Sequence, residues 1–252
     1  MLPLSQLTFR PLNVDIEFKG ITHSMPQKNA PDKFIITNAS GKFKHGSLHA
    51  IMGPSGCGKS SLLNVLSGFN PIAKGKIAFN GEEFDVKDWG SVMSSMRSYI
   101  LQDDFMVAEL TVQEQMNYAV ALKVPDGIDE KQRKKMIDSV LKKIGMEETR
   151  SRRLGALSGG QKKRISVASE LINFPPVLFL DEPTTGLDST STYRLIDLLK
   201  SVAKVGCTVI ATIHQPNSRV FAIFDTLTVL YTQGRIAYKF VFFQCFFLFL
   251  TC

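Results

Sequence analysis

The stretch Gly53-Pro54-Ser55-Gly56-Cys57-Gly58-Lys59-Ser60 decides the fold, because it matches the pattern G-x-x-x-x-G-K-S. The apolar residues 47–52 before it predict a strand, and residues 59–67 predict a helix that begins where the glycine loop ends. In that setting backbone N–H groups turn inward on phosphate oxygens, and the helix N-terminus adds partial positive charge. Lys59 is then placed to reach the outer phosphates, and the Ser60 hydroxyl is placed to bind Mg²⁺.

Composition bounds the class of protein but does not choose its ligand. A chain of 252 residues that is 44% hydrophobic and 21% charged is typical of a folded domain, with length for one large domain or a core with a subdomain. The net charge of +7 suits nucleic acid, anionic lipid or a polyphosphate equally well. The four cysteines show no C-x-x-C spacing, and no secretory signal is recognisable at the N-terminus, so we expect a reducing, cytosolic compartment.

Outside the glycine loop, short apolar runs alternate with helical patterns, which favours an α/β core with a mostly parallel sheet. Predicted strands cover residues 14–18, 76–79, 177–180, 208–213 and 227–231, with a tight turn at Asn80-Gly81 and a loop over residues 25–32. Long amphipathic patterns predict helices over residues 112–123, 129–144, 159–173 and 189–205. The first two helices belong to a helical insert.

A pair of carboxylates follows the four-residue apolar strand 177–180. At the carboxyl end of a parallel strand, Asp181 is placed to hold Mg²⁺, and Glu182 is placed to act as the general base that polarises a water. Taken alone, an apolar strand that runs into Asp-Glu is also consistent with an ordinary strand end. The glycine loop upstream favours the functional interpretation.

The pentapeptide Leu157-Ser158-Gly159-Gly160-Gln161 makes the chain resemble the ATP-binding cassette (ABC) family, whose signature is LSGGQ. The resemblance implies a P-loop NTPase core with a mostly parallel sheet, an antiparallel β subdomain and a helical insert that carries the signature. It further implies ATP and Mg²⁺ as ligands. In the family the signature closes on the γ-phosphate held by a second cassette, so Ser158, Gly159, Gly160 and Gln161 are expected to serve a partner's nucleotide.

The remaining family elements occur in the expected order along the chain. Gln102 is the expected Q-loop residue, which senses Mg²⁺ and the attacking water; Asp188 closes the D-loop, and His214 is the expected switch histidine that bonds the γ-phosphate. Ser61 joins the nucleotide-binding set next to Ser60. His23 occupies the place where the family usually stacks an aromatic residue on adenine, which is a departure from the pattern.

The phrasing around these motifs is similar to that of the G subfamily of half-transporters, the white and sterol-transporter group. The resemblance implies a cassette over residues 1–238, with a helical subdomain over about 105–172 and a divergent hydrophobic tail over 239–252. The apolar run 240–250 is too short to span a bilayer as a helix. An alternative chain end, a membrane-dipping tail and an edge strand are the open interpretations of it.

These features predict a domain that binds and hydrolyses Mg-ATP, pairs face to face with an identical or different cassette, and powers transport of a lipophilic substrate. It is expected at the cytosolic face of a membrane, through a transmembrane domain absent from this chain. The alternative is a truncated product that pairs with full-length half-transporters. Nucleic acid is not an expected partner, since the basic stretches 131–135, 150–153 and 162–164 are interpreted as solvated helix faces. Trp89 is assigned to surface packing, and a lowered pKa is considered for Cys57 beside the helix N-terminus.

Overall fold

A computed structural model describes residues 13–28, 30–103, 105–125, 127–214 and 216–241. In chain order the strands are β1 (Ile16–Gln27), β2 (Ala30–Phe43), β3 (Leu48–Met52), β4 (Lys74–Phe79), β5 (Glu82–Asp85), β6 (Arg97–Ile100), β7 (Val177–Leu180), β8 (Thr208–Ile213), β9 (Thr226–Leu230) and β10 (Ile236–Val241). The helices are α1 (Lys59–Leu66), α2 (Val86–Met93), α3 (Val112–Lys123), α4 (Glu130–Lys143), α5 (Gly159–Leu171), α6 (Ser189–Lys204) and α7 (Ser218–Phe221). The predicted α/β class is confirmed.

The larger sheet has six strands in the order β10-β9-β3-β8-β7-β6. Its pairs are parallel except for β10 with β9. Every residue of β7 and β8 is buried, as expected for central parallel strands covered on both faces, and this explains why their sequences read as apolar runs. The parallel register brings the carboxyl ends of β3, β7 and β8 to one edge, where the phosphate loop begins.

The second sheet is antiparallel and has the order β2-β1-β4-β5. The prediction of a loop over residues 25–32 was wrong, because β1 runs to Gln27 and β2 begins at Ala30, with Met25 opposite Lys33. The pairing of β1 with β4 ends at Thr22. Pro26 has no N–H to donate, and at its position there is no β1–β4 hydrogen bond for it to interrupt. The polar composition of this segment reflects an exposed hairpin rather than irregular structure.

Three helices, α3, α4 and α5, form the helical insert, and each begins at a capping box. The capping residues are Thr111, Asp129 and Ser158, and each side-chain oxygen accepts a hydrogen bond from the backbone N–H three residues on. Helix α3 buries Val112, Met116, Ala119 and Val120, the stripe that the 3.6-residue period predicts. The signature therefore lies at the capped N-terminus of α5, since Ser158 is the cap and Gly159 to Gln161 form the first turn of the helix.

Trp89 is fully buried, so its assignment to the surface was wrong. Its indole Nε1 donates a hydrogen bond of 2.8 Å to the carbonyl oxygen of Leu66, and its ring packs against Phe79 and Phe84. The sequence pattern predicted the end of β4 and the turn at Asn80-Gly81 but missed strand β5 and helix α2. Together these elements enclose the ring beside the end of α1.

Strand β10 pairs antiparallel with β9 and continues to Val241, past the boundary predicted at residue 238. The rest of the apolar run, residues 242–252, lies outside the described residues. Among the helices of the described ranges, each is too short or too polar to cross a bilayer.

Candidate functional site

The phosphate loop, residues 53–60, requires glycine at two close approaches. A Cβ atom at Gly53 would lie 2.5 Å from the carbonyl oxygen of Leu230, and one at Gly58 would lie 2.7 Å from that of Ile35. Gly58 also has φ +104, a conformation that residues with a side chain rarely adopt. Between them, residues 54–56 are exposed, so the loop backbone is accessible at the sheet edge while both of its ends are fixed.

Lys59 lies at the start of α1 with its side chain only 5% exposed. Its Nζ donates to the carbonyl oxygens of Gly53 at 3.1 Å and Pro54 at 3.2 Å, and lies 3.5 Å from Oε1 of Glu182. The loop therefore wraps around its own ammonium group, and the Glu182 carboxylate faces the same charge. This places a fixed cation at the centre of the predicted phosphate site.

Asp181 follows β7, and its Oδ1 accepts two hydroxyl hydrogen bonds. Ser60 Oγ donates at 2.9 Å, and Thr212 Oγ1 donates at 2.7 Å. Two of the three predicted metal-site residues, Ser60 and Asp181, are 121 residues apart in sequence and in direct contact; the third, Gln102, follows β6 at the same edge of the sheet. Hydroxyl and carboxylate oxygens are the donors that Mg²⁺ takes, with the rest of its shell usually supplied by water and phosphate. Among the described residues, no group of three or more His, Cys, Asp or Glu side chains could hold a metal ion.

Glu182 adopts a left-handed backbone conformation, with φ +43. Its N–H donates to Thr212 Oγ1 at 2.7 Å, and its Oε2 accepts from Thr185 Oγ1 at 3.2 Å. Its carboxylate, 15% exposed, faces both the Lys59 ammonium and the open edge of the sheet. A base that is anchored through its backbone and reaches solvent is suited to polarising a water.

The signature turn, residues 157–161, leads into the N-terminus of α5, where Ser158 and Gly159 are exposed and Ser158 and Gln161 form the capping box. Ser158 Oγ accepts from Gln161 N at 3.3 Å, and Gln161 Oε1 accepts from Ser158 N at 3.0 Å. A Cβ at Gly160 would lie 2.7 Å from the Ser191 side chain of α6, so glycine is needed where α5 meets α6. Among the hydrogen bonds and ion pairs of the described residues, none joins this turn to Lys59 or Asp181.

Asp188 caps α6 next to the signature turn. Its Oδ2 accepts from the backbone N–H groups of Thr190 and Ser191, both at 3.1 Å. Hydrogen bonds from Ser191 hold the pKa of the Asp188 carboxyl below its ordinary value. Two helix N-termini, those of α5 and α6, therefore lie side by side on one exposed surface.

The other predicted residues occupy different surroundings. Gln102 and His214 are exposed and follow β6 and β8, which flank β7 in the sheet, so both lie at the same edge as Asp181. His23 is 7% exposed, with Nε2 3.2 Å from Asn70 Nδ2 and with Nδ1 unpartnered among the described residues. Because its ring is covered in this conformation, adenine stacking on His23 stays a prediction.

Two expectations about reactive or solvated side chains were wrong. Burial raises the pKa of the Cys57 thiol, and the nearby Lys59 ammonium opposes this effect only in part.

Lys163 is 3% exposed and does not lie on a solvated face of α5. Its Nζ donates to the carbonyl oxygens of Leu101 at 3.2 Å and Gln102 at 2.9 Å. The ammonium of the signature helix thus holds the backbone at the Q-loop.

Sequence reasoning missed Thr212 and Lys163 as members of this site. Thr212 is a polar residue within the apolar strand 208–213, two positions before His214, and that position is a usable signal. Lys163 shares the buried stripe of α5 with Val167 and Leu171 at spacings of four. A lysine on such a stripe needs buried acceptors, which the Q-loop carbonyls supply.

Comparison with known proteins decides the family. The sequence model of the ABC transporter family matches residues 36–185, more than half of the chain. The chain belongs to the ABC transporter family. Similar curated proteins include ABC transporter G family member 26 of Arabidopsis thaliana, 40% identical over 87% of this ABC chain, and protein scarlet of Drosophila melanogaster, 37% identical over 82%. The chain spans about a third of their length, 32% and 31% respectively.

The fold is that of solved ABC cassettes. A dimeric bacterial ABC transporter cassette, MJ0796, superposes with a TM-score of 0.75 at 24% identity, over 90% of this chain and 98% of the other. The post-hydrolysis structure of the same cassette, bound to ADP and Pi, gives a TM-score of 0.75 at 22% identity with the same coverage.

Proposed function

We propose that this chain binds and hydrolyses Mg-ATP as the nucleotide-binding cassette of a G-type half-transporter. The observation that carries the proposal is the contact between Ser60 and Asp181, with Lys59 and Glu182 beside them at the carboxyl edge of the parallel sheet. Such an edge is where α/β sheets bind ligands. In this proposal the cassette extends to the end of β10 at Val241, with the helical part over about residues 105–172.

Each side chain has a role that its position supports. The phosphate-loop amides and Lys59 bind the phosphates, with Ser61 in the same first turn of α1. Ser60 and Asp181 hold Mg²⁺, which neutralises phosphate charge when bound. Glu182 accepts the proton of the attacking water. Gln102 and His214, which follow the flanking strands β6 and β8, orient that water and bond the terminal phosphate.

The signature turn and Asp188 are proposed to act on the nucleotide of a second cassette. Their helix N-termini are exposed and already capped, and they share no described bond with this chain's own phosphate site. Exposed helix N-termini attract anions. The dimeric structure of the neighbouring cassette MJ0796 supports a face-to-face pair, which for this chain is either identical or mixed.

Coupling to a membrane is also part of the proposal. The similar curated proteins are named as transporters and are about three times as long as this chain. We infer that the cassette works at the cytosolic face of a membrane with a transmembrane domain. The likeness to the sterol-transporter group supports a lipophilic substrate.

Glu182→Gln tests the proposed chemistry. Because the amide cannot take the proton, turnover of ATP should fall about 10²- to 10⁴-fold, while ATP binding stays intact. Steady-state ATPase assays and binding of a fluorescent ATP analogue measure both. Glu148→Gln, an exposed glutamate in the helical insert, is the matched control and should behave as wild type. Equal turnover in Glu182→Gln and wild type would remove Glu182 from the role of base.

A further inference from the structure

We propose that Thr212 is a positioning residue, which fixes the metal-binding carboxylate of Asp181 and the backbone of the base Glu182 with one hydroxyl. The inference rests on the proposed ATPase function and deepens it. Thr212 is fully buried at the end of β8, and it contacts both residues at 2.7 Å.

The sheet register places Thr212 in reach of both partners. Leu180 of β7 is the neighbour of Ala211 in β8, so one step further along both strands Asp181 lies beside Thr212. Parallel neighbours are separated by about 5 Å, the span that a short side chain can bridge. The Thr212 hydroxyl therefore bonds across strands at the point where β7 ends.

The hydrogen-bond roles at Thr212 are complementary. A hydroxyl has one proton to donate and two lone pairs that accept. Thr212 Oγ1 donates its proton to Asp181 Oδ1 and accepts the Glu182 N–H. Valine has nearly the same shape but can do neither, so Thr212→Val removes both bonds with little change in packing volume.

Glu182 needs such an anchor because of its backbone. A non-glycine residue with positive φ is strained unless its surroundings hold it there. The bond from Glu182 N to Thr212 holds the amide on the inner side of this turn, which aims the carboxylate at the Lys59 ammonium. Loss of the bond frees the turn, and the base loses its fixed position relative to the phosphate loop.

Thr212 also differs in task from the other hydroxyl at Asp181. Ser60 is itself a proposed metal ligand, whereas Thr212 donates to the same oxygen, Asp181 Oδ1, from the neighbouring strand. A hydrogen-bond partner of a metal ligand fixes the ligand's orientation, and its loss weakens metal binding. We therefore expect Thr212 to affect both Mg²⁺ dependence and turnover.

The strand supplies a matched control in Thr208. It is equally buried on β8, but its hydroxyl donates to the carbonyl oxygen of Val14 at 2.9 Å, at the opposite end of the strand. Thr208→Val removes one buried hydroxyl bond from the same strand without touching the site. Thr212→Ser keeps the hydroxyl while it removes a methyl group. Thermal melting of all three variants reports any general loss of folding.

The experiment measures ATP turnover, the ATP concentration at half-maximal rate and the Mg²⁺ concentration at half-maximal activation in the full chain. In Thr212→Val, turnover should fall about 10- to 100-fold because the base is misplaced, with half-saturation by ATP changed less than about 3-fold. The Mg²⁺ requirement should rise roughly 10-fold. Thr212→Ser and Thr208→Val should both stay close to wild type.

Three outcomes would overturn the inference: wild-type turnover and Mg²⁺ dependence in Thr212→Val, equal loss in Thr212→Ser, or equal loss in Thr208→Val. Failure of the proposed hydrolysis is distinguishable from these. A wild-type chain that binds Mg-ATP without turnover would overturn the ATPase proposal alone. Thr212 would then be tested through Mg²⁺-dependent binding of a fluorescent ATP analogue, which Thr212→Val should weaken and Thr208→Val should not.

Discussion

The phosphate loop and the signature turn differ in how far their polar groups are bonded within the chain. Around the loop, Lys59, Ser60 and Asp181 bond one another or nearby backbone, and Lys59 is almost fully buried. In the signature turn, Ser158 and Gln161 satisfy only each other at an exposed helix N-terminus. The first region is preorganised to hold a ligand, whereas the second shares no hydrogen bond or ion pair with Lys59 or Asp181 among the described residues.

This difference shows that a matching sequence motif does not by itself form a complete binding site. Both regions place amides at a helix N-terminus, the feature that attracts phosphate. Only the loop adds a cation, a hydroxyl and two carboxylates around that terminus. The signature turn instead adjoins the N-terminus of α6, which Asp188 caps, and we propose that both act on a phosphate held by another molecule.

Lys59→Met removes the cation of the phosphate loop, the first region of the comparison, and should have the largest effect. Without the cation, ATP turnover should fall about 10²- to 10³-fold, as on removal of one fixed charge-stabilising donor, and nucleotide affinity should fall with it. ATPase assays and equilibrium binding of a fluorescent ATP analogue check both. Lys131→Met, on the exposed face of α4, is the control. Unchanged affinity in Lys59→Met would contradict the assigned role.

Ser158→Asp tests the signature turn, the second region of the comparison. Aspartate caps a helix as well as serine does, so melting temperature should stay near wild type. Its charge faces the expected phosphate of the partner, so turnover should fall about 10²-fold, with the chain's own ATP affinity unchanged. Ser158→Asn, a neutral cap of similar size, is the paired control for charge. A loss of ATP affinity in Ser158→Asp would place the signature turn in its own chain's site.

His49 lies on β3, the strand that leads into the phosphate loop, and its titration should make the stability of the fold depend on pH. Burial lowers its pKa to about 4 from the ordinary 6.5, while Nε2 donates to the carbonyl oxygen of Lys44 and Nδ1 contacts Thr226. As the pH falls below 6.5, the unfolded chain takes up the proton first, so stability is lost between about pH 6.5 and 4. From pH 7 to 5 this single group should cost about 2 kcal/mol of unfolding free energy.

Denaturant unfolding at pH 7 and pH 5 checks the prediction for His49. His49→Gln can replace both hydrogen bonds but does not titrate, so its loss of stability over this range should be smaller by that amount. Parallel losses in the variant and the wild type would show that His49 is not responsible.

Much of the site followed from sequence because its motifs are contiguous and local. Residues 53–60 carry their own turn conformation, and the rule that ligands bind at the carboxyl edge of a parallel sheet predicted the meeting of Ser60 and Asp181. The capping box at Ser158 is equally local, as it spans four residues. Such features need no knowledge of distant contacts.

The rest depended on pairing between segments that are distant in sequence. Thr212 reaches Asp181 only through the β7–β8 register, and Lys163 reaches the Q-loop only because α5 packs against β6. Trp89 was placed wrongly because its burial follows from β4, β5 and α2 around it. The direction of the Cys57 pKa shift also depends on tertiary burial, which raises the pKa by more than the nearby Lys59 ammonium lowers it.

Complementation between two inactive variants tests most directly the claim that one chain contributes half of each of two sites. Lys59→Met and Ser158→Asp are purified separately, mixed in equal amounts at a concentration that allows pairing, and assayed for ATP turnover. Random pairing makes half of the dimers mixed, and each mixed dimer has one intact site of two, so the mixture should recover about a quarter of wild-type activity. A mixture no more active than the average of the two variants, although wild-type chains pair and turn over ATP under the same conditions, would contradict the shared site.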